Sequence, residues 1–148
     1  MTRAASILVL DTNVVLDWLV FRDPSSTPLA EALAGQRAEW LACAAMRTEL
    51  EHVLTRAVLD RWQLDATAVL AQWDRWARLV DCPPAAPGGL RCSDPDDQVF
   101  LDLAFAGEAQ ALLTRDRALL RLARAAGRRG LAVLTPEAWA RSAAGQRL

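Results

Sequence analysis

The sequence contains no lysine, because all 17 of its basic residues are arginine. Reactions that need a lysine, such as phosphate binding by a Walker A lysine or Schiff-base catalysis, are therefore excluded. The three cysteines, Cys43, Cys82 and Cys92, are odd in number and widely spaced, which argues against a disulfide framework. The same spacing argues against a zinc site with His52, the only histidine. We expect buried free thiols and a reducing, cytoplasmic environment.

Long hydrophobic runs are also missing. No run approaches the roughly 18 apolar residues of a membrane span, and the run at residues 7–10 is too short for a signal peptide, so we expect no membrane association. The 17 basic and 18 acidic residues give a net charge of −1, which excludes a globally basic polyanion-binding protein. Hydrophobic residues make up 53% of the 148 residues, enough for one folded domain over residues 1–148.

Short apolar segments alternate with segments of helical periodicity. Strands are predicted over residues 6–10, 38–43, 79–82, 111–114 and 131–134. Helices are predicted over residues 14–21, 28–35, 45–59, 65–78, 95–106, 116–126 and 136–143. This alternation is typical of an α/β fold with a mostly parallel sheet, in which ligands bind at the carboxyl ends of the strands.

Acidic residues follow several of these predicted strands. Asp11 and Asp116 come directly after strands, Glu49 lies about one turn into a helix, and Asp97 lies in the first turn of another. Each also has a purely structural interpretation, as a helix cap or as a solvated acid favoured by the helix dipole. Four carboxylates at one edge would repel each other unless a cation lay between them. Mg²⁺ and Mn²⁺ prefer such oxygen ligands, and a site of this kind suits phosphodiester hydrolysis.

The segments LDTNVV, TELEHVL, CSDPDDQVFLDLA and ALLTRDRALL, in this order, resemble the PIN domain. The similarity is greatest to the toxin components of bacterial toxin–antitoxin systems, and it covers roughly residues 6–140. The resemblance implies a three-layer α/β/α fold with a central, mostly parallel sheet. It also implies an endoribonuclease that depends on Mg²⁺ or Mn²⁺ and acts on single-stranded RNA, together with a cognate antitoxin and a homodimer.

The resemblance also assigns roles to individual positions. The catalytic, metal-binding carboxylates would be those of Asp11, Glu49, Asp97 and Asp116. Asn13 and Thr114 match polar positions beside the metal, and Asp94 is a possible auxiliary acid. Gln98 departs from the pattern, because this group often has another acid there, and the departure bears on the number of metals bound.

Basic residues accumulate near the end of the chain, where residues 115–148 contain eight arginines but only two acidic residues. On a helix, the spacing of four, three and four residues would align Arg117, Arg121, Arg124 and Arg128. A solvated helix face explains such a line. Because arginine suits phosphate contacts, we also hypothesise that this face guides the RNA backbone, with Arg115, Arg117, Arg121 and Arg124 as the binding residues.

Two other functions are compatible with parts of the sequence. A haloacid-dehalogenase-type phosphatase also begins with an aspartate after a strand, but it needs a second aspartate where this chain has Asn13. A catalytically silent α/β interaction module would keep the acids only as helix caps. Trp73 and Trp76 fill the core or a helix-packing face, or else form an exposed dimer patch.

Overall fold

Strands and helices alternate along the chain in the computed structural model, which describes residues 5–56, 65–84 and 89–142. The strands are β1 (Ser6–Leu10), β2 (Ala38–Cys43), β3 (Ala77–Val80), β4 (Ala111–Leu113) and β5 (Ala132–Leu134). The α-helices are α1 (Thr12–Leu19), α2 (Thr27–Ala34), α3 (Ala44–Leu54), α4 (Ala66–Trp76), α5 (Gln98–Ala106), α6 (Arg117–Leu120), α7 (Ala123–Gly127) and α8 (Pro136–Arg141). Short 3-10 turns at Pro24–Ser26 and Pro95–Asp97 precede α2 and α5.

The five strands form one sheet in the order β3-β2-β1-β4-β5, and every pair is parallel. The strands β1, β2 and β4 lie inside the sheet and are strongly apolar, since a strand covered on both faces has no polar side to expose. Leu8 and Val9 of β1 are fully buried. Helices flank the sheet, so the predicted α/β/α fold is confirmed. Because all strands are parallel, their carboxyl ends meet at the same edge.

Tryptophans fill the space between the sheet and its helices. The ring of Trp40 on β2 contacts Trp18 of α1 at 5.8 Å and Trp73 of α4 at 5.6 Å, both edge-on. The ring of Trp76 is partly buried 6.5 Å from that of Trp18. The interpretation of Trp73 as a core residue is therefore confirmed.

Two predicted elements differ from the structure near the chain's basic segment and at the sheet edge. The single helix predicted over residues 116–126 is wrong: at Leu122 the backbone (φ −88°, ψ 0°) leaves the helix, and its N–H bonds three residues back to Leu119. The arginines of that segment are therefore divided between two short helices rather than aligned on one: Arg117 and Arg124 lie on α6 and α7, and Arg121 and Arg128 follow the ends of these helices. Strand β3 starts at Ala77, two residues earlier than predicted, because the extended backbone there ends α4.

The expectation of free cysteines is also wrong for two of the three. Cys43 at the end of β2 and Cys82 just after β3 form a disulfide with a Cα–Cα distance of 5.1 Å. The two residues lie 39 positions apart in sequence, but β2 and β3 are neighbours, with Cys43 opposite Val80. Cys92 is a buried free thiol.

The ends of two predicted helices extend past the described ranges. Helix α3 ends at Leu54, and residues 57–59 of the predicted helix lie outside the described residues, as does residue 143 of the last one. Within the described ranges, no helix combines the length and the apolar character needed to cross a membrane.

Candidate functional site

Three aspartates meet at the carboxyl edge of the sheet. Asp11 follows β1, Asp116 follows the neighbouring strand β4, and Asp97 comes from the turn before α5. One carboxylate oxygen from each of the three lies within 4.8 Å of the other two. Asp11 occupies the N-cap position of α1, but its side chain makes no capping bond, whereas Asp116 caps α6 through Ala118 N–H. Helix capping thus accounts for Asp116 in part and for the Asp11 carboxylate not at all.

Thr114, the residue after β4, links two of these aspartates. Its hydroxyl donates a hydrogen bond of 2.7 Å to Oδ2 of Asp11, and its oxygen accepts one of 2.9 Å from the backbone N–H of Asp116. The residue is fully buried, so these bonds face little competition from water. Thr114 therefore fixes the orientation of the Asp11 carboxylate and the start of the segment that carries Asp116.

The buried position of these acids changes their acid strength. Burial raises the pKa of Asp11 from 3.8 to about 6, against the lowering effect of hydrogen bonds from Thr114 and the backbone of Thr12. The charges of Asp116 and Glu49 contribute to this net rise. The pKa of Asp97 is raised to about 8 by burial together with its hydrogen bond to the Asp116 carboxyl group and the charge of Asp11.

This arrangement has an unsatisfied polar atom. Oδ2 of Asp97 is buried and has no hydrogen-bond partner among the described residues. A buried carboxylate oxygen without a partner is costly, and so are three neighbouring negative charges. A hard divalent cation would relieve both costs, because carboxylate oxygens are the ligands that Mg²⁺ and Mn²⁺ prefer. The residues present therefore fit a divalent-cation site.

Glu49, the fourth predicted carboxylate, lies beside this group rather than within it. It is half-buried on α3, and its Oε2 accepts a hydrogen bond of 2.9 Å from the hydroxyl of Thr12. The negative charge of Glu49 is close enough to raise the pKa of Asp11. Sequence reasoning did not assign a role to Thr12, although its position inside the Asp-Thr-Asn motif was an available signal.

The other predicted polar residues lie around the three aspartates. Asn13 is exposed on α1, and Asp94 caps the turn that carries Asp97 by accepting a bond from Asp96 N–H. The side chain of Gln98 forms its hydrogen bonds away from the three aspartates. It accepts one from the backbone N–H of Cys92 and donates to the carbonyl of Leu90 and to the carboxylate of Asp102. It thereby holds the loop before Asp94.

The arginines assigned to RNA binding fall into two environments. Arg117, Arg121 and Arg124 are exposed, and no carboxylate of the described ranges forms an ion pair with them. Arg115 instead bonds to Asp17 and Glu137 within the protein. Three of the four predicted arginines are thus available to a ligand from solution.

The fold and the site together define an α/β protein with a carboxylate cluster at the carboxyl edge of a parallel sheet. A family model for the PIN domain matches residues 7–118, a range that contains Asp11, Glu49, Asp97 and Asp116. The chain belongs to the PIN domain family.

Comparisons with individual proteins add a structural neighbour. A comparison with curated protein sequences finds no significant match. Among solved structures, the chain is similar to a chain in the crystal structure of VapBC2 from Rickettsia felis. In that structure VapBC2 is bound to a DNA fragment from its own promoter. The TM-score is 0.59 with 16% sequence identity over 86% of this chain and 96% of that chain. At this level of identity, the likeness is one of fold.

Proposed function

We propose that this protein is a metal-dependent endoribonuclease that hydrolyses phosphodiester bonds of single-stranded RNA. PIN domains are in general nucleases that depend on divalent metals. The observation that carries the proposal is the convergence of Asp11, Asp97 and Asp116, with one buried oxygen of Asp97 left without a partner. Carboxylates that served only as helix caps would not need to meet at one point.

These three aspartates, with Glu49 beside them, would hold Mg²⁺ or Mn²⁺. Such a cation, when bound, polarises a phosphoryl oxygen and lowers the pKa of water. The protein's own contribution is to hold the ligands in place. Thr114 orients the carboxylate of Asp11, and Thr12 holds the carboxylate of Glu49 at the margin of the site.

The RNA backbone would be bound by Arg117, Arg121 and Arg124. All three are exposed, and Arg117 follows Asp116 directly in the chain, so a phosphate bound near the aspartates would have at least this basic side chain close by. The planar guanidinium group forms paired hydrogen bonds with phosphate oxygens. Asn13 and Asp94, which border the same edge, complete the proposed polar surroundings.

We further propose that the protein is the toxin of a toxin–antitoxin pair, with a cognate antitoxin, a homodimeric assembly and a cytoplasmic location. The fold it shares with the VapBC2 structure supports this role. The Cys43–Cys82 bond bears on the location, because disulfides are rare in the cytoplasm. Thiol labelling of the protein inside intact cells would test this part: a fully oxidised pair would contradict a cytoplasmic location.

The nuclease proposal is tested with purified protein and a pool of single-stranded RNAs. We expect cleavage with Mg²⁺ or Mn²⁺, none with EDTA, and none by Asp11→Asn. Asp96→Asn serves as the matched control, since this exposed acid lies next to Asp97 but outside the cluster. Absence of heat on Mn²⁺ titration, with Asp11→Asn indistinguishable from wild type, would favour a silent interaction module. Hydrolysis of a small phosphomonoester without RNA cleavage would favour a phosphatase.

A further inference from the structure

The side chain of Arg115 is used inside the protein. Its Nε donates a hydrogen bond of 2.7 Å to Oδ2 of Asp17, and Nη2 donates one of 2.9 Å to the hydroxyl of Ser25. Its Nη1 donates to both oxygens of Glu137, at 2.9 and 3.0 Å. The guanidinium therefore joins α1, the first 3-10 turn and α8 at one point.

The backbone of Arg115 has a second set of neighbours. Thr114 and Asp116, the residues on either side, both belong to the acidic site, and β4 ends just before them at Leu113. Residues 114–116 form the whole connection between β4 and α6. The side chain of Arg115 is bound to three elements outside this connection. It therefore restrains the backbone on either side of Arg115, which carries Thr114 and Asp116.

We propose that Arg115 is a positioning residue, which holds the connection 114–116 so that Asp11 and Asp116 can bind one divalent cation together. This inference rests on the proposed function. It replaces the RNA-binding role that the sequence suggested for Arg115, because four donated hydrogen bonds already occupy its guanidinium. Residues that orient metal ligands typically contribute about 10–100-fold to metal affinity.

Whether replacement of Arg115 weakens or strengthens Mn²⁺ binding distinguishes a positioning role from a purely electrostatic one. Removing a positive charge near an acidic site strengthens cation binding by Coulomb's law. Removing a residue that positions the ligands weakens it. Arg115→Gln removes the charge and the anchor together, so the direction of the change in Mn²⁺ affinity identifies the dominant effect.

The experiment is a Mn²⁺ titration by isothermal calorimetry of the wild type, Arg115→Gln, Arg115→Lys and a control, with thermal melts to check folding. The control is Arg129→Gln, because this exposed arginine lies before the amino end of β5, at the edge of the sheet away from the aspartates. We expect about 10-fold weaker Mn²⁺ binding for Arg115→Gln and no change for Arg129→Gln. Arg115→Lys keeps the charge but cannot reach all three partners with one ammonium group, so we expect weaker binding for this variant as well. It serves as the test if Arg115→Gln fails to fold.

Activity assays give a second readout. With RNA, we expect Arg115→Gln to lower kcat and leave KM unchanged, whereas loss of a phosphate contact would raise KM. Normal Mn²⁺ binding by the wild type with unchanged or tighter binding by the Arg115 variants would overturn this inference alone. Absence of Mn²⁺ binding by the wild type would overturn the proposed function and this inference with it.

Discussion

Replacing Asp97 with asparagine isolates the energetic cost of the acidic site. Asp97 is 7% exposed, and its pKa rises from 3.8 to about 8 in the folded protein. The folded state thus favours the protonated form more than the unfolded state does. The contribution of Asp97 to the stability of the metal-free protein is fully present below pH 4 and is lost as the pH rises through about 8, because the buried group must then ionise beside Asp11 and Asp116.

A rise of about four pKa units corresponds to a ceiling of ~6 kcal/mol at 1.36 kcal/mol per unit. Asp116 shares the proton through the hydrogen bond between the two carboxyl groups, so the effect does not belong to Asp97 alone. We therefore expect about 2–3 kcal/mol of stabilisation for metal-free Asp97→Asn at pH 8, or about 5–10 °C in Tm. Little gain is expected at pH 4.5, where the wild-type carboxyl group is already neutral.

The assay is thermal unfolding followed by circular dichroism at pH 4.5 and pH 8, with EDTA, for wild type, Asp97→Asn and the exposed control Asp96→Asn. A subsequent Mn²⁺ titration should raise the Tm of the wild type at pH 8 and that of Asp97→Asn much less, since a ligand stabilises only the state that binds it. An Asp97→Asn variant that gains no more stability at pH 8 than at pH 4.5 would refute the reasoning.

Three further changes probe the neighbouring contacts. Thr114→Val removes the hydrogen bond that lowers the pKa of Asp11; we expect that pKa to rise further and Mn²⁺ binding to weaken about 10-fold, as measured by calorimetry across a pH series. Thr12→Val removes the hydrogen bond to Glu49, so we expect a lower kcat for RNA. The Tm should fall no more than it does for a substitution at the surface. An unchanged kcat would contradict a role for this contact. The double variant Arg117→Gln/Arg121→Gln should bind RNA more weakly and flatten the salt dependence of log K by roughly 1.4, with Mn²⁺ affinity no weaker than that of the wild type.

The fold was predictable where the chain is buried on both sides. The bounds of β1 follow from a continuous apolar run and those of β2 from a run interrupted only by Glu39, and both strands match the structure at each end. Strand β3 was displaced in the prediction because it lies at the sheet edge, where Arg78 and Leu79 are exposed and the apolar pattern is weak. The break between α6 and α7 carries no glycine or proline, so local sequence offers no signal for it.

The site was predictable to the extent that sheet geometry determines it. Asp11 and Asp116 follow adjacent parallel strands, so a parallel sheet alone brings them to one edge. Long-range side-chain contacts were not accessible in the same way. The three partners of Arg115 lie 98, 90 and 22 residues away, and periodicity carries no information on such pairs. The disulfide between Cys43 and Cys82 is another long-range contact, between residues 39 positions apart. The odd number and wide spacing of the cysteines gave no sign of it.

That disulfide has a consequence for the connectivity of the polypeptide. A proteolytic cut anywhere between residues 44 and 81 would leave two fragments that stay covalently joined, and an unreduced gel would show a species of full mass. The tether also keeps β3 attached to β2, so an intruding strand can extend the sheet beyond β3 but cannot displace it. A thiol reductant would release both constraints at once.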